Sequence, residues 1–113
     1  MPSATIISSD NISFSLSKIH DCSLIHDFAD YNVDIPIPYH SHLISLFLTF
    51  RSIFNKRKHK LPLRFQQLTD DQQQSLIDIS NFLGHSKLTD YITHLYYSNI
   101  YFKQLIPKFF TDM

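Results

Sequence analysis

The chain has no tryptophan, a single glycine and a single cysteine in 113 residues, and none of its ten acidic residues is a glutamate. One cysteine, Cys22, forms neither an internal disulfide nor a cysteine-based zinc cage, which favours a reducing compartment. One glycine, Gly84, excludes every glycine-rich phosphate loop. There is no excess of either charge: ten basic residues balance ten acidic ones, so no global field draws the chain to nucleic acid or an anionic membrane. Residues Met1 to Asp10 lack the basic start and long apolar run of a secretory signal. The most apolar stretch, Leu43 to Phe54, contains Arg51 and falls short of the roughly 20 residues that span a bilayer. The expectation is a soluble protein of the cytoplasm, the nucleus or both, with no nucleic-acid or membrane partner.

Material for a core is ample. Hydrophobic residues make up 43% and aromatics 14%, which excludes compositional disorder, and the length suits one domain spanning 1–113. Thr5-Ile6-Ile7, the turn-forming Ser8-Ser9-Asp10-Asn11 and the alternation of Ile12, Phe14 and Leu16 with serines predict a β-hairpin over 4–17. Leu24, Ile25 and Phe28 recur at helical spacing between about Asp21 and Asp30. Val33, Ile35 and Ile37 alternate around Pro36 and Pro38, which suits only a short strand at a sheet edge. Ser41 is a plausible cap for a helix to about Phe54, apolar nearly all round and hence central. The run Asn55-Lys56-Arg57-Lys58-His59-Lys60 followed by Pro62 predicts a basic loop over about 55–68. Thr69 and Gln72 have the spacing of a capping box, with Asp70 and Asp71 at the positive end of the helix dipole. That helix turns Leu76, Ile79 and Leu83 inward and stops near Gly84. Ser86 is placed to cap a last helix to about Asn99, and Pro107 should end or kink any helix in the aromatic segment at about 99–113. A small three-stranded sheet packed against a helical cluster is an α+β fold.

The chemistry-bearing residues are sparse. Of seven histidines, only His40 and His42 form a close pair, and solvated loop histidines fit better than a metal site. Cys22 lies near His20, Asp21 and His26, but a neighbouring carboxylate raises a thiol pKa and opposes activation. A small filler on the first helix is the simpler role. No catalytic residue, metal or other cofactor is expected. Lys56, Arg57, Lys58 and Lys60 form a solvated basic face or a nuclear-import cluster. Tyr91, Tyr96, Tyr97, Tyr101, Phe102, Phe109 and Phe110 either close the domain's own core or form a protein-binding patch. Both readings stand at this point.

Three segments carry a resemblance. Ile6-Ile7-Ser8-Ser9-Asp10 with Phe14, Ile35-Pro36-Ile37-Pro38 ahead of a long apolar helix, and Leu76-Ile77 through Asn81-Phe82-Leu83 followed by Lys87-Leu88 and Asp90 occur in order. Together they resemble the Skp-type adaptors of cullin-RING (SCF-like) ubiquitin ligases and their sister group, elongin C, on the BTB/POZ fold, over roughly residues 4–98. The resemblance implies a non-catalytic adaptor that bridges a cullin to an F-box-type substrate receptor in ubiquitin-dependent degradation. It implies cullin contact at Asn81 and Phe82, and receptor binding or self-association at Tyr96, Tyr97, Tyr101, Phe102, Phe109 and Phe110. Skp-type proteins continue into a tryptophan-bearing tail that this sequence lacks, and their insertion, acidic in many members, is here short and basic. An elongin C-like adaptor, a self-associating BTB homodimer and a decoy that holds a cullin without a receptor therefore remain as alternatives.

Overall fold

The computed structural model describes the backbone of residues 3–17, 19–29 and 34–111, and the side chains of 4–17, 19, 21–27 and 34–98. The expected hairpin is present. β1 (Ser3–Ile7) pairs antiparallel with β2 (Ser13–Ser17), placing Ile6 opposite Phe14 and Ala4 opposite Leu16. Asn11 makes the turn with φ 65°, a left-handed conformation that asparagine tolerates better than most residues. The Ser8 hydroxyl accepts the Ile12 amide at 2.9 Å and closes the loop. Ile12 itself stands outside β2 and is 47% exposed.

β3 is only Ile35–Pro36, parallel to β1, in the sheet order β2-β1-β3. Pro36 thus sits at an edge, where its missing N–H breaks no ladder. Val33, expected in this strand, lies outside the described residues. A 3-10 turn (Ile19–Asp21) leads into α1 (Ser23–Ala29). Cys22 immediately precedes α1, its carbonyl accepting the His26 amide at 2.9 Å.

α2 (Ser41–Lys56) follows. Ser41 is not its cap. His40 is: its Nδ1 accepts the His42 amide at 3.1 Å. The Ser41 amide and hydroxyl instead donate to the two oxygens of Asp10, at 2.9 and 2.6 Å. A carboxylate from the hairpin thereby occupies the positive end of the α2 dipole. Ser41 is the largest cause of the Asp10 carboxyl lying well below the usual carboxylate range, followed by Ser8. Nor is α2 buried all round. Ile44, Phe47 and Phe50 form the inward stripe, whereas Ser45, Thr49 and Ser52 face solvent.

The loop predicted over 55–68 is mostly helical. α2 reaches Lys56, a 3-10 turn covers Lys58–Lys60, and α3 spans Leu61–Gln66. Two facts outweigh the charge run. Leu61 and Phe65, four residues apart, are both fully buried, and Pro62 lies in the first turn, where a helix tolerates proline.

α4 (Asp70–Phe82) begins with the predicted reciprocal cap. The Gln72 amide donates to the Thr69 hydroxyl at 3.2 Å, and the Thr69 amide donates to Gln72 Oε1 at 2.9 Å. Leu76, Ile79 and Leu83 point inward as expected, each fully buried. Gly84 ends the segment with φ +80°. α5 (Ser86–Thr111) runs past the predicted stop at Asn99 and through Pro107. The proline removes one backbone bond without ending the helical trace. The fold is α+β, a three-stranded mixed sheet with five α-helices among the described residues. One core joins Ile6, Ile25, Ile44, Phe47, Leu76 and Leu88.

Candidate functional site

The last turn of α4 presents two chemistries. Outward, Asn81 is exposed and the Phe82 ring is 40% exposed. Phe82 is held edge-on by Tyr39, with centroids 5.3 Å apart and planes at 70°. Tyr39 is anchored in turn, its hydroxyl donating to Asp78 Oδ2 at 2.8 Å. Burial, then the Asp78 acceptor, pushes the Tyr39 hydroxyl up to about 12, so it keeps its proton as a donor. The chain before α2 and one face of α4 thus fix an aromatic–amide patch in place. Tyr39 is a member of that patch that sequence spacing gave no means of finding.

Of the other predicted contact residues, Tyr96 is half-buried and Tyr97 is 65% exposed. The Tyr96 hydroxyl accepts from Gln74 Nε2 at 2.8 Å, and the same nitrogen donates to Asp70 Oδ2 at 2.6 Å. Gln74 and Phe82 are eight residues apart on α4, about 12 Å along its axis. The structure therefore separates the Tyr96–Tyr97 pair from the Asn81–Phe82 patch, at opposite ends of one helix. Tyr101, Phe102, Phe109 and Phe110 fall on the α5 backbone, but their side chains lie outside those described. Tyr91 faces inward, its ring 5.8 Å from Phe54.

The basic run lies at the surface. Lys56, Arg57, Lys58 and Lys60 are all exposed, but Lys58 Nζ sits 4.8 Å above the Phe54 ring and 5.0 Å above Tyr91. That placement fastens the 3-10 turn to α5 by cation–π attraction. Lys56 lines a cleft of about 870 Å³ between the end of β2, α2 and the α4–α5 turn.

The inner wall of that cleft holds a polar cluster that the sequence did not reveal. Arg51 engages Asp21 with two nitrogens, Nε at 3.0 and 3.2 Å and Nη2 at 2.9 Å, and Nη2 also donates to the Ser17 carbonyl at 3.3 Å. His85, only 2% exposed, places Nε2 at 3.4 Å from Asp21 Oδ2, long for a formed hydrogen bond. Burial works against the Asp21 carboxylate, but His85 and Arg51 together hold its carboxyl below the usual carboxylate range. His85 is the exception to the solvated histidines expected from the sequence. It replaces Ser86 as the cap of α5, since its Nδ1 accepts the Leu88 amide at 3.2 Å. That bond leaves the ring proton on Nε2.

An Asp–His pair near serines invites comparison with a hydrolytic triad, but the ring is not set up as a base. Nδ1 is consumed by the helix cap and Nε2 carries the ring proton beside Asp21, so neither nitrogen is placed to take a proton from a serine. Cys22 is 1% exposed, and burial followed by the Asp21 charge pushes its thiol up to about 12. It fills core space, inaccessible as a nucleophile. No three potential metal ligands converge among the described residues.

Compared with known proteins, the chain matches no family model, and no curated protein resembles it significantly.

Proposed function

We propose that the chain is a non-catalytic adaptor of the Skp type, which bridges a cullin to a substrate receptor of the F-box kind in a ubiquitin ligase. The observation that carries this reading is the Asn81–Phe82 patch. An aromatic ring 40% exposed on a small domain, braced by Tyr39 and flanked by an exposed amide, has the composition of an interface anchor. Because Tyr39 already fixes the ring, little side-chain freedom is lost when a partner covers it. The α+β architecture supports the reading, since a hairpin, a short Pro-x-Pro edge strand and a long apolar helix lead in order to the helix that ends in Asn81-Phe82.

The Tyr96–Tyr97 pair at the other end of α4 supports a bridge, because two partners can then be held without competing. That second surface is the proposed contact for the receptor. The work is done in the cytoplasm or nucleus. No described helix is long and apolar enough to cross a membrane.

The test is a pull-down of a purified cullin amino-terminal domain by the chain and by its Asn81→Ala/Phe82→Ala variant. Capture by the parent and loss in the folded double variant support the proposal. Equal capture, or none by the parent, removes it, and a stable homodimer that ignores the cullin points to the self-associating alternative.

A further inference from the structure

We infer that the cleft between the end of β2, α2 and the first turn of α5 binds a phosphorylated peptide segment. Its wall carries three cations, Arg51, Lys56 and Lys87, against the single carboxylate of Asp21. With His85 neutral the lining balance is three positive minus one negative, or +2, in a chain whose overall formal charge is zero. The lining is thus more positive than the chain as a whole. Ser86 and Lys87, on the same wall, open α5, a helix long enough to direct the positive end of its dipole and its first amides at an anion.

A second, independent feature points to a missing partner. His85 Nε2 is buried on this wall and makes no hydrogen bond. Its nearest acceptor, Asp21 Oδ2, stands 3.4 Å away while Arg51 grips the same carboxylate. A phosphate that draws the Arg51 guanidinium towards itself frees Asp21 to close on Nε2, so the anion satisfies in one movement a donor now left short.

The volume, about 870 Å³, far exceeds that of a lone oxyanion and suits a side chain with its flanking backbone. Ser17, Asn55 and Ser86 offer hydroxyl and amide groups to such a backbone. A nucleotide fits less well, because a base needs an open aromatic face. Of the two rings in the lining, His85 is 2% exposed, and Phe54 is already met by His85 at 5.7 Å, Tyr91 at 5.8 Å and the Lys58 ammonium at 4.8 Å. The inference uses none of the residues assigned to the cullin face and stands apart from that proposal.

The test is an amide NMR titration of the full chain at constant ionic strength. The probes are a short Gly/Ser peptide with one phosphoserine, its unphosphorylated copy, inorganic phosphate, and a short single-stranded oligonucleotide. The phosphopeptide should give saturable shifts at Asn55, Ser86 and Lys87 and bind at least about tenfold tighter than its unphosphorylated copy. In the Lys56→Gln/Lys87→Gln variant, both positions being exposed, affinity should fall by about tenfold or more while the remaining spectrum is unchanged. Inorganic phosphate binding as tightly as the phosphopeptide would mean an adventitious ion only and overturn the inference. So would absence of saturable shifts, indifference to the double variant, or tighter binding of the oligonucleotide.

Discussion

Around the end of α4, alternate side chains answer to different demands. Ile79, Ser80 and Leu83 are fully buried, whereas Asn81 and Phe82 between them are exposed. The inward set and the turn after it fix the junction of α1, α4 and α5. The Ser23 and Leu24 amides that begin α1 donate to the Gly84 and Leu83 carbonyls at 3.4 and 3.2 Å. Ser80 Oγ meets Thr89 Oγ1 at 2.8 Å, and His85 caps α5. The outward set lies outside the buried core, and Phe82 is braced by Tyr39. Stability and partner binding should therefore be separable within a few residues of sequence.

The sharpest way to break that contrast is to exchange the two sets. Leu83→Ala empties a fully buried site and should lower the unfolding free energy by about 2–5 kcal/mol, read by chemical denaturation, without removing partner contacts from the part that stays folded. Gly84→Ala comes next. Its added Cβ would collide with Ser23 Oγ at a φ of +80°, so a loss of about 2 kcal/mol or more is expected in the same measurement. Asp21→Ala leaves Arg51 and buried His85 without their carboxylate and should cost about 1–3 kcal/mol.

Acid sharpens the same point. The Asp21 carboxyl titrates lower in the folded chain than in the unfolded one, so its stabilisation is complete above the unfolded value of about 3.9 and is lost as pH falls below it. Denaturation midpoints should decline below about pH 5, less steeply in Asp21→Asn. Phe82→Ala should have the smallest effect on stability, within about 1 kcal/mol, and the largest on binding.

What could be read from the sequence was local. The hairpin followed from alternation about a turn cluster, the α4 cap from Thr69 and Gln72, and the inward Leu76, Ile79 and Leu83 from helical spacing. What escaped depends on contacts between distant residues. Asp10 reaches Ser41 across 31 positions, and Ser23 reaches Gly84 across 61. Gln73, 3% exposed, looks like a solvent residue until its amide is seen donating to the Phe65 and Leu68 carbonyls at 2.9 and 3.3 Å. The helix at Leu61–Gln66 was hidden by the lysines before it, and only burial of Leu61 and Phe65 explains it. At the site, Asn81 and Phe82 came from resemblance, whereas Tyr39 and the Asp21–Arg51–His85 cluster required the folded chain to bring them together.

The most direct measurement is calorimetric titration of a cullin amino-terminal domain into the chain, Phe82→Ala and Tyr39→Phe. The account predicts saturable binding by the parent, a loss of at least about tenfold, or 1.4 kcal/mol, in Phe82→Ala, and a smaller loss in Tyr39→Phe, which keeps the ring and drops only the bond to Asp78. Binding of equal strength in all three, or no heat from the parent, would contradict it.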